Sequence, residues 1–534
     1  MNRIFKTIRN PITGIVTAAS ELAKGTSISS RNIGKRNFLA LLTAALLSTC
    51  VFAETHEFEI TDGSAGWSFK PIDKATNTPL VNDVKITIDI QADQDSPYFI
   101  FGSATDNSDA ISFENNSITA SIDNIDNIDG YSAPSILGVM KNYNGTESAD
   151  FYFNNNTVMI NKGAYESILT TGISTNDLDK ALNAHTATFN NNQLYVGEDV
   201  RVNHATLVQA ESIQDLVVTN NLLTVDGAEI RNVTGIYVDN TVNTALEGNH
   251  FNIANGADLK DFRGIQTRDV TTANIENNHY SIQDSAIGLF QGMDLYRGDN
   301  TTINNNQFTI ENSKIDLFQA ISLHSNDLDS PEKTHVINGN AITIRNSDLK
   351  GFSGINTNAA LNSQTISNNH FIIEDSTIRG QYVDAGWTIM EMSPAVAIRA
   401  ISMSTLNISG NSIYVKNASL GFDAHENTNE KLPFNAIYAR SAGATIHHND
   451  ININNDALTD ITAIKFEGYP ESKVADRDQQ VDINHNTVMI DGGKGIATII
   501  GIEEMHLPVA QWDDEAERFK SYASVVSAII IQSS

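Results

Sequence analysis

Apolar residues recur along this chain in one short pattern, apolar-x-x-Asn-x-apolar-x-apolar, from Phe113 onward. The copies centre on Asn116, Asn156, Asn192, Asn221, Asn249, Asn278, Asn306, Asn340, Asn369, Asn411, Asn449 and Asn486. Ile275, Asn278, Tyr280 and Ile282 form one copy; Ile303, Asn306, Phe308 and Ile310 form the next. The apolar pair after each Asn is spaced by two and drawn mostly from Ile, Val and Phe, with no stripe at helical period, so these segments are predicted strands. Successive Asn lie 28 or 29 residues apart in the shortest units and 42 in the longest. A fixed unit that accepts insertions is the mark of a solenoid.

A second feature follows the first within several units. Asp284-Ser285-Ala286-Ile287, Asn312-Ser313-Lys314-Ile315, Asn346-Ser347-Asp348-Leu349 and Asp375-Ser376-Thr377-Ile378 each read as a polar turn leading to an aliphatic residue. Segments such as Phe318-Gln319-Ala320-Ile321 come next. Each unit thus supplies three short strands separated by turns. One unit cannot bury its own apolar row, whereas units stacked about 4.8 Å apart pair their backbones and cover the rows. The predicted fold is all-β, a right-handed parallel β-helix over residues 111–534, about 60 Å long for twelve turns at that spacing.

The recurring Asn fits such a coil for two reasons. Its short amide tolerates the left-handed backbone at a sharp bend, and in a stack it can bond the equivalent amides above and below. We therefore expect the twelve Asn to form a structural ladder at the bend, not a set of ligand sites. Residues 54–110 lack the motif, but Phe58 and Ile60, and then Val84, Ile86, Ile88 and Ile90, suit strands that cap one end of the coil. Toward the other end, Gly495–Gly501 reads as a strand of a further turn. Acids before bases in Asp513-Asp514-Glu515 through Lys520 suit a short helical insertion. The sequence stops at Ser534 soon after the strand beginning at Ala528, which reads as a coil cut off in mid-turn.

Residues 1–53 differ from everything after them. They carry Arg3, Lys6, Arg9, Lys24, Arg31, Lys35 and Arg36 against one acid, Glu21, and then turn apolar from Phe38 to Phe52. A basic region followed by an apolar run too short to span a bilayer is an export signal, with Val51-Phe52-Ala53 placing cleavage after Ala53. Cys50, the sole cysteine, lies inside that run and reads as a small hydrophobe of the discarded peptide, the alternative being a lipidation site.

This signal is longer than ordinary export needs. Met1-Asn2-Arg3-Ile4-Phe5-Lys6, then Asn10 and Thr13-Gly14, then Ala19-Ser20-Glu21-Leu22-Ala23-Lys24-Gly25, resembles the extended signal peptide region of type V secreted proteins. The resemblance implies a Gram-negative bacterium and an exported, autotransporter-like passenger on the cell surface or released from it. An outer-membrane translocator barrel is the implied partner, and no stretch of this sequence reads as its long alternating strands.

Charge narrows the partners. The chain holds 34 Lys and Arg against 64 Asp and Glu, a net charge of −30. The signal segment takes 7 of those bases and 1 acid, leaving −36 for the rest. A phosphate backbone is repelled by such a surface, and no basic stripe is visible along the sequence, so nucleic acid is excluded as a partner.

Candidate chemistry is sparse. Arg297-Gly298-Asp299 lies in a turn before the seventh Asn motif and resembles the integrin-recognition tripeptide, which makes it a candidate receptor contact, although Gly-Asp is also ordinary turn chemistry. Asp123, Asp126 and Asp129 could hold Ca²⁺ or simply form a solvated loop. His447, His448 and His485 sit near the bends of successive units and could meet a metal. Parallel β-helices include pectate lyases, polygalacturonases and phage tailspikes, so a polysaccharide lyase or glycoside hydrolase is the main rival reading. No paired acids of a hydrolase, no lyase base beside a carboxylate Ca²⁺ site, and no cofactor motif is recognisable. A two-partner secreted exoprotein is a further alternative. The expected function is adhesion to host cells, other bacteria or matrix, without catalysis or cofactor. Contacts are expected from the insertions Gly130–Ala149, Ser325–Lys333, Gln381–Pro394 and His425–Pro433.

Overall fold

The computed structural model describes residues 5–9, 16–20, 56–61, 72–73, 78–79, 82–90, 98–101, 104–105, 110–123, 135–142, 150–175, 186–325, 333–359, 363–382, 392–393, 395–422, 434–455, 460–468, 481–491, 497–503, 512–513, 518–519, 524–527 and 530–531. The chain divides into two units, Met1–Glu54 and Thr55–Ser534. In the first, strand Phe5–Arg9 pairs antiparallel with Val16–Ser20. The predicted cleavage point and Cys50 lie outside the described residues.

The second unit is a parallel β-helix. One turn shows how sequence builds it. Asp215–Thr219 runs up to the bend at Asn221, Leu222–Asp226 leaves it, and Glu229–Glu247 follows a second bend and turns a third corner at Asn240. Each segment pairs in parallel with its equivalent one turn away: Val218 with Leu246, Leu223 with Phe251, Ile230 with Leu259. Along these strands burial alternates, which puts every second residue into the coil and its neighbours on the outside.

The Asn ladder is continuous over all twelve positions. Each Nδ2 donates to the Oδ1 of the next Asn at 2.8–3.0 Å, from Asn116 to Asn486. For Asn278 the full account is four bonds. Its Oδ1 accepts from the backbone N–H and the Nδ2 of Asn249, and its Nδ2 donates to Asn306 Oδ1 and to the Leu246 carbonyl. Every polar atom of this buried amide is used, as low-dielectric burial demands. The ladder starts where the equivalent position becomes Val84, whose backbone N–H donates to Asn116 Oδ1.

The left-handed residue is not the ladder Asn. It is the residue before it: Asn115, Asn155, Asn191, Asn220, Asn277, Asn305 and Asn368 all have φ between 54° and 58°. Gly248, Gly339 and Gly410 fill the same place in other turns, and His448 and His485 in the last two. The division of labour is physical: the strained corner is exposed and takes Asn or Gly, while the next residue points inward and bonds its counterparts. The second bend repeats the device. There Asp284, Asn312, Asn346 and Asp375 are left-handed, and behind them Ser285, Ser313, Ser347 and Ser376 form a second buried ladder in which each backbone N–H donates to the next Oγ at 3.1–3.2 Å.

Rows of like side chains fill the interior. Phe262, Phe290, Phe318 and Phe352 stack with centroids 5.1–5.5 Å apart, and Phe251, Tyr280 and Phe308 form a parallel stack at 4.4–4.8 Å. A column of small residues makes room for the second stack. A Cβ on Gly292 would stand 2.3 Å from Phe308 Cε1 and 2.6 Å from the Ala320 carbonyl, so this position admits only Gly.

Both ends differ from expectation. His56–Ile60 pairs in parallel with Val84–Ile90, which pairs in parallel with Ser117–Ile122. The strands expected as a cap are therefore rungs of the coil itself, because alternation buries their Ile row in the same core. Past Asn486, Ser524–Ser527 and Ile530–Ile531 pair with Val481–Asn484 and Thr487–Val488. Between them Trp512–Asp513 and Arg518–Phe519 pair antiparallel, where a helical insertion was expected. A favourable order of charges adds only tenths of a kcal/mol to a helix, too little to nucleate one in so short a segment. No helix occurs among the described residues.

Of the predicted insertions, Ser135–Asn142 is a coil rung, paired with Tyr98–Phe101 on one side and Ser167–Thr175 on the other. Gln381–Tyr382 and Met392–Ser393 pair as an antiparallel hairpin. Residues 423–433 lie outside the described residues.

Candidate functional site

Arg297-Gly298-Asp299 occupies the third corner, stacked below Ser212, Asn240 and Asp269, each left-handed like Arg297 itself. Its charges are engaged by neighbouring turns. Arg297 Nη2 lies 2.8 Å from Asp269 Oδ2, with the guanidinium 5.0 Å from the Tyr296 ring centroid. Burial pushes the Asp269 carboxyl up, and Arg297 partly offsets this. Asp299 Oδ1 meets Lys333 Nζ at 2.6 Å, and the lysine side chain is 9% exposed. Beside them His335 is buried; desolvation, then Lys333, push its imidazole down to about 4, so it is neutral at pH 7. The tripeptide is held to the coil at both of its charged ends.

His447, His448 and His485 do come together. The rings of His448 and His485 stack in parallel, 5.1 Å between centroids, and His447 Nδ1 lies 2.6 Å from His448 Nδ1. Burial, followed by the neighbouring His448, lowers the pKa of His447. His447 and His448 meet edge to face, with an interplanar angle of 84°. Among the described residues no group of three or more His, Cys, Asp or Glu is arranged to hold a metal ion. Asp123 pairs with Lys162 at 2.8 Å; Asp126 and Asp129 lie outside the described residues.

A feature that was not legible in the sequence is a cleft of about 440 Å³ on the outer face just after the second bend. Glu229, Arg231, Asp258, Lys260, Lys314 and Asp316 surround it, and Ala286 and Gly288 leave its middle turn without long side chains. The stack assembles it. Arg231 falls opposite Lys260 through the pairing of Ile230 with Leu259, and Lys314 is one turn beyond Ala286, itself one turn beyond Asp258. Arg201, Lys350 and Arg379 extend the line on neighbouring turns. Six bases from six turns thus share one strip, although no two are closer than 29 residues in sequence.

The comparison that bears on export concerns the N-terminal segment. Residues 1–49 match ESPR, the Extended Signal Peptide of Type V secretion system. The type V signal marks the chain as an autotransporter-like exported protein, and the parallel β-helix is the architecture expected of such a passenger. No curated protein matches the chain.

Proposed function

We propose that this chain is the surface-displayed passenger of a type V secretion system, carried out by a translocator barrel, and that it works as an adhesin toward host cells, other bacteria or matrix. The observation that carries this reading is the stack itself. Twelve ladder Asn bonded in sequence hold the outer faces rigid, and outward side chains repeat at each turn, a geometry suited to many weak contacts made together. Repeated units are committed to the coil, so recognition falls to the insertions and to the clefts between turns.

The test is binding of the purified chain to cells and immobilised matrix, compared with variants shortened at 326–332, 383–391 or 423–433 and with Asp299→Ala. Shortening is expected to lower binding severalfold with the circular dichroism unchanged. Asp299→Ala is expected to bind like the parent, because that carboxylate is already held by Lys333. Loss of binding on Asp299→Ala in a folded protein would move the contact to the Arg-Gly-Asp corner. Equal binding by every variant would remove the insertions from the reading.

The same proposal holds that the chain is not a polysaccharide-cleaving enzyme. Pectin, alginate or capsule incubated with the purified chain should release no unsaturated or reducing ends. Release that disappears on replacing one carboxylate would establish the lyase or hydrolase instead.

A further inference from the structure

The geometry points to the cleft around Ala286 and Gly288 as a binding site for a linear glycan carrying sparse carboxylates, such as one uronate per disaccharide. Three facts carry it. Several cations on neighbouring turns of this face are paired with an acid one turn away, as in Arg201 with Glu229, Lys350 with Asp316 and Arg379 with Asp348. Arg231, Lys260 and Lys314 are exposed and make no ion pair among the described residues, and Arg231 and Lys260 stand side by side on adjacent turns. Their backbones lie one strand spacing apart, about 4.8 Å, so two cationic side chains rise from one strip of surface and an anion placed between them is attracted to both.

The shape agrees with the charge. Gly288 keeps the floor low, since a Cβ there would stand 2.6 Å from the Lys260 carbonyl oxygen. Across that floor Lys314 lies two turns from the level of Lys260, about 10 Å at strand spacing. A chain lying along the coil axis would place one carboxylate between Arg231 and Lys260 and a second near Lys314.

The acids decide between polyanions. Glu229, Asp258 and Asp316 are interleaved with the bases, which repels a backbone bearing a charge at every unit, as nucleic acid does. Between widely spaced carboxylates a glycan offers hydroxyl groups, and these donate to the same acids. The ligand's source on a neighbouring cell or matrix rests on the adhesin reading, whereas the cleft itself does not.

The experiment is titration of the purified chain with hyaluronan oligosaccharides, with heparin, single-stranded DNA and dextran as comparisons. Hyaluronan should bind and weaken with added NaCl; heparin and DNA should bind at least tenfold more weakly, and dextran not at all. The paired change Arg231→Gln and Lys260→Gln, and separately Ala286→Phe, which fills the floor from its exposed side, should each weaken hyaluronan at least tenfold with melting unchanged. No hyaluronan binding, equal binding of DNA or heparin, or undiminished binding by both variants overturns the assignment. Because the readout is glycan in solution, a protein that binds hyaluronan but no cells fails only the adhesin reading.

Discussion

Asn278→Asp should destabilise the coil by about 3 to 5 kcal/mol at pH 7, the cost of leaving a buried charge without a partner. Asn278 is wholly buried, and its Nδ2 faces two acceptors, Asn306 Oδ1 at 2.9 Å and the Leu246 carbonyl at 3.0 Å. An ionised carboxylate turns both contacts into oxygen against oxygen. The remaining oxygen still accepts from Asn249, so the fold is strained at one rung and not erased. The effect has a sign in pH. Burial and the facing acceptors raise the carboxyl's folded pKa above its unfolded value of about 3.9, because only the protonated acid can donate. Stability relative to the parent is then fullest below the unfolded pKa and is lost as pH rises through the folded one. Urea unfolding at pH 4 and pH 7 measures both. A variant as stable as the parent at pH 7 would mean that the ladder bonds do not hold the stack.

Phe290→Ala should cost about 3 to 5 kcal/mol, the range for removing a fully buried aromatic ring. Phe290 is inaccessible to solvent, stacks on Phe262 at 5.3 Å and Phe318 at 5.1 Å, and meets Tyr280 edge-on at 6.5 Å. Strands paired above and below fix the backbone, so the cavity cannot collapse, and the loss falls on the interfaces between adjacent turns. Unfolding of such an array need not be all-or-none, so local hydrogen exchange at residues 259–265 and 315–321 is the sharper measurement alongside urea unfolding. Protection unchanged there would show that the Phe row is dispensable filling.

The polarity of the two ladders explains why they were unequally visible. The Asn ladder leaves a mark in one dimension: a polar residue at fixed offsets from two apolar positions, twelve times over. In the Ser ladder, Ser285, Ser313, Ser347 and Ser376 are followed at the equivalent place by Ala418 and preceded by Ala257. Small size, not hydrogen bonding, is what that corner requires in every turn, so the pattern reads only as a turn.

Strand period, unit length, the apolar rows and the Asn column are set by residues within one unit, and local alternation is enough to reveal them. The export signal is likewise local, a basic stretch followed by an apolar one. Three things were decided only by stacking. Left-handed strain falls on Asn277 rather than Asn278, because which of two adjacent Asn turns inward depends on the turns above and below. Arg297 and Asp299 are tied to Asp269 and Lys333, partners 28 and 34 residues away. The line of bases through Arg231, Lys260 and Lys314 was invisible in a chain of net charge −30, since its members are neighbours only along the coil axis. Residues one turn apart meet at strand spacing once insertion lengths have been absorbed and the register closed, and no local pattern records that register.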